Sequence, residues 1–145
     1  MNIIESGQKT ILVVDDDPNT CEFLTTILTK ENYQVLSTFQ AKDTLGYLKQ
    51  GSHVKIDLVI TDLQMPGYGG FSVIKDLQGE QFVSVPILVV TGRNLDQDAI
   101  NMIKMEPNVR GIHKKPIVPS GFVQEVRDIL GAGTEPENQG DDPFK

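Results

Sequence analysis

Residues 56–67 read IDLVITDLQMPG, and this stretch decides the fold of the chain. The run at 58–60 is apolar throughout and too short for a helix, which is typical of a central parallel strand that is buried on both faces. The run ends at Asp62, and the Met-Pro-Gly at 65–67 then ends the strand and turns the chain. Asp62 is therefore predicted to lie at the C-terminal end of a buried strand, the edge of an open α/β sheet where ligands bind.

Similar apolar runs predict four further strands, and amphipathic segments between them predict helices. The other predicted strands are at 10–14, 34–39, 85–90 and 109–113, and the predicted helices are at 18–31, 41–50, 70–77, 95–105 and 122–130. The helix at 95–105 is predicted to be only weakly amphipathic. Strands that alternate with helices predict an α/β domain with a parallel sheet, right-handed crossovers and helices on both faces.

Length and composition limit the class of protein. The 145 residues are enough for one domain, 39% of them are hydrophobic, and the net charge of −7 disfavours direct nucleic-acid binding. Cys21 is the single cysteine, no apolar run reaches the length of a membrane span, and residues 1–9 lack the pattern of a signal peptide. We therefore expect a cytoplasmic protein without disulfides that does not bind membranes.

The chain is predicted to have three segments. Residues 1–9 form a polar N-terminal lead-in, residues 10–131 form the folded domain, and residues 132–145 form a flexible acidic tail or linker. The last segment carries four acidic residues and has too few apolar residues to fold alone. The sequence leaves open whether the domain stands alone or precedes an effector domain.

Polar residues follow four of the five predicted strands. They are Asp15 and Asp16 after the first strand, Asp62 after the third, Thr91 after the fourth and Lys115 after the fifth. Taken singly, the acidic pair after the first strand is better explained as part of a helix cap, Thr91 as a strand-end hydroxyl with a hydrogen-bond partner, and Lys115 as a surface lysine. Because parallel strands end at one edge of the sheet, their joint occurrence favours a common site.

The residue types in this set predict phosphoryl transfer. Three carboxylates repel one another, and Mg²⁺, which prefers oxygen ligands and keeps several waters, relieves that repulsion. Lys115 would add positive charge for a phosphoryl group, and the Thr91 hydroxyl would donate to one of its oxygens. Asp62 would then be the nucleophile.

A set of short motifs at the strand ends resembles the receiver domain of two-component response regulators, the CheY-like superfamily. The motifs are V-D-D at 14–16, Asp62 followed by M-P at 65–66 and Gly70, V-T-G at 90–92, and K-P at 115–116. The resemblance covers 10–131. It implies a flavodoxin-like receiver fold, with a doubly wound five-stranded parallel sheet in the order 2-1-3-4-5 and five flanking helices.

The resemblance also implies a role for each site residue. Asp62 would accept the phosphoryl group. Asp16 and Asp62 would bind Mg²⁺ directly, the main-chain carbonyl of Gln64 would be the third protein ligand, and Asp15 would act largely through water. Thr91 would be the switch hydroxyl and Lys115 the site lysine, joined to Pro116 by a cis peptide bond.

Two positions bear on these implied roles. Family members usually carry Tyr or Phe three residues before the lysine, as a ring that moves when the switch hydroxyl engages phosphate, whereas this chain has Ile112. Lys114 is a second candidate for the site lysine, but neighbouring strand residues point in opposite directions, and we favour Lys115 because it precedes Pro116. Gln64 and Arg93 flank the site, at positions that tune phosphoryl lifetime in the family.

The resemblance implies a signalling domain rather than an enzyme, with slow self-dephosphorylation. His53 and His113 lack a partner at metal-ligand spacing and are expected to be incidental. A sensor histidine kinase or a histidine phosphotransfer protein would therefore supply the phosphoryl group. The output surface would include 95–105 and 112–114 and would contact an unknown downstream effector, with a phosphorylation-dependent dimer as one form of output.

Three alternative functions share some of these features. An aspartyl phosphatase of the haloacid dehalogenase type, with Asp15 as nucleophile, would need Thr or Val where Asn19 stands and a late acidic pair, for which only Asp141 and Asp142 are available. A phosphate-silent, receiver-like binding module is suggested by Ile112. A flavodoxin-like flavin binder is excluded, because the acidic run at 15–17 would repel the flavin phosphate.

Overall fold

The structure is a computed structural model, and it describes residues 7–49, 54–65, 70–79 and 81–131. Strands and helices alternate along the chain. They are β1 (Thr10–Val14), α1 (Pro18–Thr29), β2 (Gln34–Thr38), α2 (Thr44–Leu48), β3 (Leu58–Thr61), α3 (Gly70–Asp76), β4 (Ile87–Thr91), α4 (Gln97–Lys104), β5 (Val109–Lys114) and α5 (Pro119–Leu130). All strand pairs are parallel and the sheet order is β2-β1-β3-β4-β5, which confirms the predicted fold.

The sheet separates two hydrophobic layers. Alternate residues of the central strands point to opposite faces, so that Leu12 and Val59 pack with α2, α3 and α4, whereas Ile11 and Leu58 pack with α1 and α5. The residues of β1, β3 and β4 are all buried. Burial on both faces explains why these strands are apolar throughout, as the sequence pattern predicted.

The helix ends differ from the predicted ones where a cap or a turn intervenes. The Asp17 carboxylate accepts a hydrogen bond from the Asn19 N–H at 3.0 Å and caps α1, which ends at Thr29, before Asn32 adopts a positive φ of 70°. Asp96 caps α4 through the Ala99 N–H at 2.8 Å, so this helix begins at Gln97.

Two predictions about the helices were wrong. The second helix is a 3₁₀ turn at Ala41–Asp43 followed by five α-helical residues, and Gln50, its predicted end, lies outside the described residues. In α4, Ile100 and Ile103 share the inward face while Met102 is 67% exposed, so the helix is clearly amphipathic.

Strand β4 begins two residues later than predicted, because Pro86 has no N–H to donate to the ladder. Its carbonyl accepts a hydrogen bond from the Val59 N–H at 3.0 Å. Between β4 and β5 the register shifts. Ile87 pairs with Val109 but Leu88 pairs with Gly111, which leaves Arg110 as one extra residue in the edge strand.

Two of the predicted segments cannot be compared in full. Of the lead-in at 1–9, residues 1–6 lie outside the described residues, as does all of 132–145. Among the residues that are described, none of the helices has the length and apolar character needed to cross a membrane.

Candidate functional site

Adjacent central strands position Asp15 and Asp62. Both follow their strands directly, and each main-chain N–H extends the ladder: Asp15 donates to the Thr38 carbonyl at 3.1 Å and Asp62 to the Val14 carbonyl at 3.0 Å. The two carboxylates are 2% and 4% exposed. The strand geometry thus places two nearly buried carboxylates side by side at the C-terminal edge of the sheet.

Lys115 bridges these two carboxylates. Its Nζ lies 2.9 Å from Asp15 Oδ2 and 3.1 Å from Asp62 Oδ2. Its main-chain N–H donates to the Thr91 carbonyl at 2.8 Å, and its peptide bond with Pro116 is cis. Lys114 extends away from the acids and donates to the Asn94 side chain. Of the two neighbouring lysines, only Lys115 contacts the acidic residues.

Short backbone turns fix the orientation of the carboxylates. Asp15 Oδ1 accepts a hydrogen bond from the Asp17 N–H at 2.9 Å, and Asp62 Oδ1 accepts one from the Gln64 N–H at 3.0 Å. Each carboxylate therefore uses one oxygen for a backbone N–H two residues further on and the other for the Lys115 ammonium. These turns were not predicted, although an Asp directly after a predicted strand is a signal for a turn of this kind.

Burial and charge shift the pKa values of two groups in the site. Burial raises the pKa of Asp15 above its ordinary value, against the opposing effects of the Asp17 N–H and the Lys115 ammonium. Burial lowers the pKa of Lys115, but its hydrogen bonds and charge interactions with Asp15 and Asp62 outweigh burial and leave that pKa raised. Lys115 is therefore a firmly protonated cation at neutral pH.

The oxygen atoms of the site match the preference of a hard divalent cation. Asp15, Asp16 and Asp62 each offer a carboxylate oxygen, and these three oxygens lie within 4.8 Å of one another. Asp16 is exposed while the other two are buried, so the group opens to solvent on one side. The Lys115 ammonium compensates one of the three negative charges. A divalent cation would compensate the other two.

The remaining predicted site residues lie on neighbouring elements. Thr91 ends β4, is 2% exposed, and its hydroxyl oxygen accepts a hydrogen bond from the Arg93 N–H at 3.1 Å. Gln64, the predicted third metal ligand, belongs to the turn that holds Asp62. Ile112, at the position where an aromatic residue is usual, is half-buried in β5 and pairs with Val89.

The sequence matches the family model of the response regulator receiver domain over residues 11–127. The chain belongs to this family. The receiver domain is a signalling domain of two-component systems, and membership decides against the phosphatase and flavin-binder alternatives. The sheet order of the chain and the position of its acidic cluster agree with the assignment to the receiver family.

Known proteins similar to this receiver domain differ in length. The response regulator GtcR of Aneurinibacillus migulanus is 34% identical over 63% of this chain and 36% of its own length. Protein PilH of Pseudomonas aeruginosa is 33% identical over 83% of this chain and 96% of its own length. The chain spans between 36% and 53% of the length of the first relatives found.

A solved structure supports the fold independently. The response regulator receiver protein from Pseudomonas putida superposes with a TM-score of 0.74 at 25% identity, covering 83% of this chain and 97% of that protein. The five-stranded sheet and its flanking helices are therefore those of known receiver proteins.

Proposed function

We propose that Asp62 is the residue of this receiver domain that accepts a phosphoryl group from a phosphohistidine. The observation that carries the proposal is the Lys115 ammonium, which lies 3.1 Å from Asp62 Oδ2 and 2.9 Å from Asp15 Oδ2. A cation at that position neutralises charge on both the attacking carboxylate and an incoming phosphoryl group. Asp62 also follows a central strand whose residues are all buried, which holds its backbone rigidly.

The transfer itself needs little covalent chemistry from the protein. A carboxylate oxygen of Asp62 forms the new O–P bond while the N–P bond of phosphohistidine breaks, and the imidazole nitrogen keeps the electron pair of the broken bond. Lys115 holds the carboxylate through the reaction and contacts the phosphoryl oxygens afterwards. Thr91 keeps its hydroxyl proton while its oxygen accepts the Arg93 N–H, so it can donate to the acyl phosphate.

Mg²⁺ is the cation that best fits the donor set, with Asp16, Asp62 and the Gln64 carbonyl as its protein ligands and Asp15 acting through water. When bound, it would neutralise the remaining charge on the phosphoryl oxygens. A sensor histidine kinase or a phosphotransfer protein would supply the phosphoryl group, and slow hydrolysis of the acyl phosphate would end the signal.

The phosphorylated domain would act through a surface made by α4, β5 and α5, which includes residues 95–105 and 112–114. The Lys115 N–H binds the Thr91 carbonyl, which ties the end of β5 to the end of β4. A change at Thr91 would therefore be transmitted to α4 and β5. A downstream effector, whether a separate protein or another domain, would recognise this surface.

Intact-mass measurement after incubation with acetyl phosphate and Mg²⁺ tests the proposal. We expect the wild type to gain one phosphoryl group in a reaction that EDTA prevents, and the Asp62→Asn variant to gain none. Asp57→Asn is a matched control. Asp57 also flanks β3, but at its opposite end, where its carboxylate accepts the Thr10 N–H at 2.8 Å.

The other outcomes contradict the proposal in different ways. A phosphoryl group that persists in Asp62→Asn but disappears in Asp15→Asn would assign the nucleophile to Asp15. No gain in a folded wild-type protein, with acetyl phosphate or with a kinase, would indicate a phosphate-silent binding module.

A further inference from the structure

A cleft of about 550 Å³ lies alongside the edge strand β5 and is lined by residues of the end of β4, the loop that follows it, α4, β5 and α5. Four cationic side chains line this cleft: Arg93, Lys104, Arg110 and Lys114. All four are exposed. The concentration of positive charge is unusual in a chain whose net charge is −7.

Three of these cations have no partner among the described residues. Within the part of the chain that the structure describes, the side chains of Arg93, Lys104 and Arg110 make no ion pair and no hydrogen bond. Lys114 donates to the neutral amide of Asn94. The positive charge of the cleft is thus left for a molecule that binds from outside.

Among the described residues that line the cleft, Glu125 is the one acidic residue, and its carboxylate already has a partner. Glu125 of α5 pairs with His113, whose ring packs edge-on against Phe122 with centroids 5.0 Å apart. The carboxylate lies over Gly111, where an added Cβ would come within 2.5 Å of Glu125 Oε2. Glycine at this position lets Glu125 lie against β5, and there it pairs with His113 instead of the cations.

The floor of the cleft is apolar, and its shape depends on the irregular edge strand. Leu95, Ile100 and Ile112 line it and are half-buried. Arg110 is the extra residue at the register shift between β4 and β5, and such bulges redirect side chains at sheet edges. The cleft therefore combines a cationic rim with an apolar floor.

We propose that this cleft binds an acidic segment of a partner protein, whose carboxylates contact Lys104 and Arg110 while an apolar side chain covers the floor. The proposal rests on the output surface given under the proposed function, and it specifies the chemistry of the partner. Charge complementarity with three cations that have no ion-pair partner among the described residues favours an anionic partner. The apolar floor and the acidic remainder of the domain favour a peptide over a nucleic acid.

Fluorescence anisotropy tests the proposal with a fluorescein-labelled peptide in which Glu and Leu alternate, added to the unphosphorylated full chain. We expect saturable binding that weakens with added salt. The double variant Lys104→Ala/Arg110→Ala should weaken binding about tenfold. The matched control is Lys42→Ala/Lys49→Ala, which removes two exposed lysines from the segment that follows β2, the edge strand opposite to β5, and should leave affinity unchanged.

Several results would overturn the proposal. They are equal weakening in the two double variants, equal binding of a peptide with Lys in place of Glu, tighter binding of a single-stranded oligonucleotide, and self-association of the chain through this face in sedimentation. Amide chemical-shift changes that avoid α4 and β5 would also overturn it. Circular dichroism of both variants verifies that they are folded.

The same samples separate this proposal from the one on phosphorylation. If the phosphorylation proposal is wrong, the intact mass stays unchanged with acetyl phosphate, but the unphosphorylated chain still binds the peptide. If the proposal on the cleft is wrong, the peptide anisotropy stays unchanged whether or not the protein gains a phosphoryl group.

Discussion

The acidic site at the sheet edge and the basic cleft beside β5 handle charge in opposite ways. At the site, Asp15 and Asp62 are buried, and the Lys115 ammonium already lies within 3.1 Å of both carboxylates. In the cleft, Lys104 and Arg110 are exposed and lack an ion-pair partner among the described residues. Buried charges need compensation within the fold because they have lost their hydration, whereas exposed charges remain hydrated and are free to bind a partner. The first arrangement suits chemistry and the second suits recognition.

The largest effect that we expect from the burial of the acidic site concerns the reactivity of Cys21, which lies beneath it. Its thiol contacts the Asp15 carbonyl at 3.3 Å and is 4% exposed. Burial, and then the charges of Asp15 and Asp17, raise its pKa from 9.0 to about 11. At mildly alkaline pH the thiolate fraction should therefore be about 100-fold lower than in the unfolded chain.

Labelling kinetics with a disulfide reagent measure this effect. We expect the folded protein to react at least about 100-fold more slowly than the same protein in urea, because burial adds to the pKa effect. Equal rates in the two states would mean that the core beneath the acidic site is open to solvent.

The next largest effect is on stability, when the cation of the site is removed. Lys115→Met leaves two adjacent buried carboxylates without compensation. We expect a loss of about 2 kcal/mol in the free energy of unfolding, below the usual cost for a buried pair because Lys115 itself is 23% exposed. Urea denaturation without divalent cations measures it, and added Mg²⁺ should restore part of the loss.

Lys114→Met is the matched control for that experiment. Lys114 is exposed, and its ammonium donates to the neutral amide of Asn94, so its replacement should change the free energy of unfolding by less than about 0.5 kcal/mol. Equal losses in the two variants would mean that the bridge to Asp15 and Asp62 does not stabilise the fold.

The smallest effect concerns the wall of the cleft. In Gly111→Ala the new Cβ displaces the Glu125 carboxylate and separates it from His113, so we expect a loss of about 0.5–1 kcal/mol. Gly121→Ala, in the same cleft-lining helix as Glu125, meets nothing within 4 Å and should instead stabilise α5 by about 0.5 kcal/mol. Thermal denaturation compares the two, and stabilisation by both alanines would show that Glu125 is not held over Gly111.

Much of the fold was predictable because burial on both sides of a parallel sheet requires continuous apolar runs, and these are visible without coordinates. The prediction was least accurate at helix boundaries. The start of α4 depends on the hydrogen bond that the Asp96 cap accepts, and the length of α2 depends on its packing against the core. The hydrophobic periodicity of the sequence does not contain either kind of information. The proximity of Asp15, Asp62 and Lys115 was predictable, since parallel strands bring their C-terminal ends to one edge of the sheet.

The sequence by itself determined the order of strands and helices and the polar residues that end the strands, because these follow from local hydrophobic pattern. Only the tertiary structure decided which oxygens Lys115 contacts, since they come from residues 100 and 53 positions away in the chain. It also decided that Lys104 and Arg110 share a cleft, because one extra residue in β5 shifts the register against β4. Contacts of this kind depend on strand register and packing, which a linear pattern does not encode.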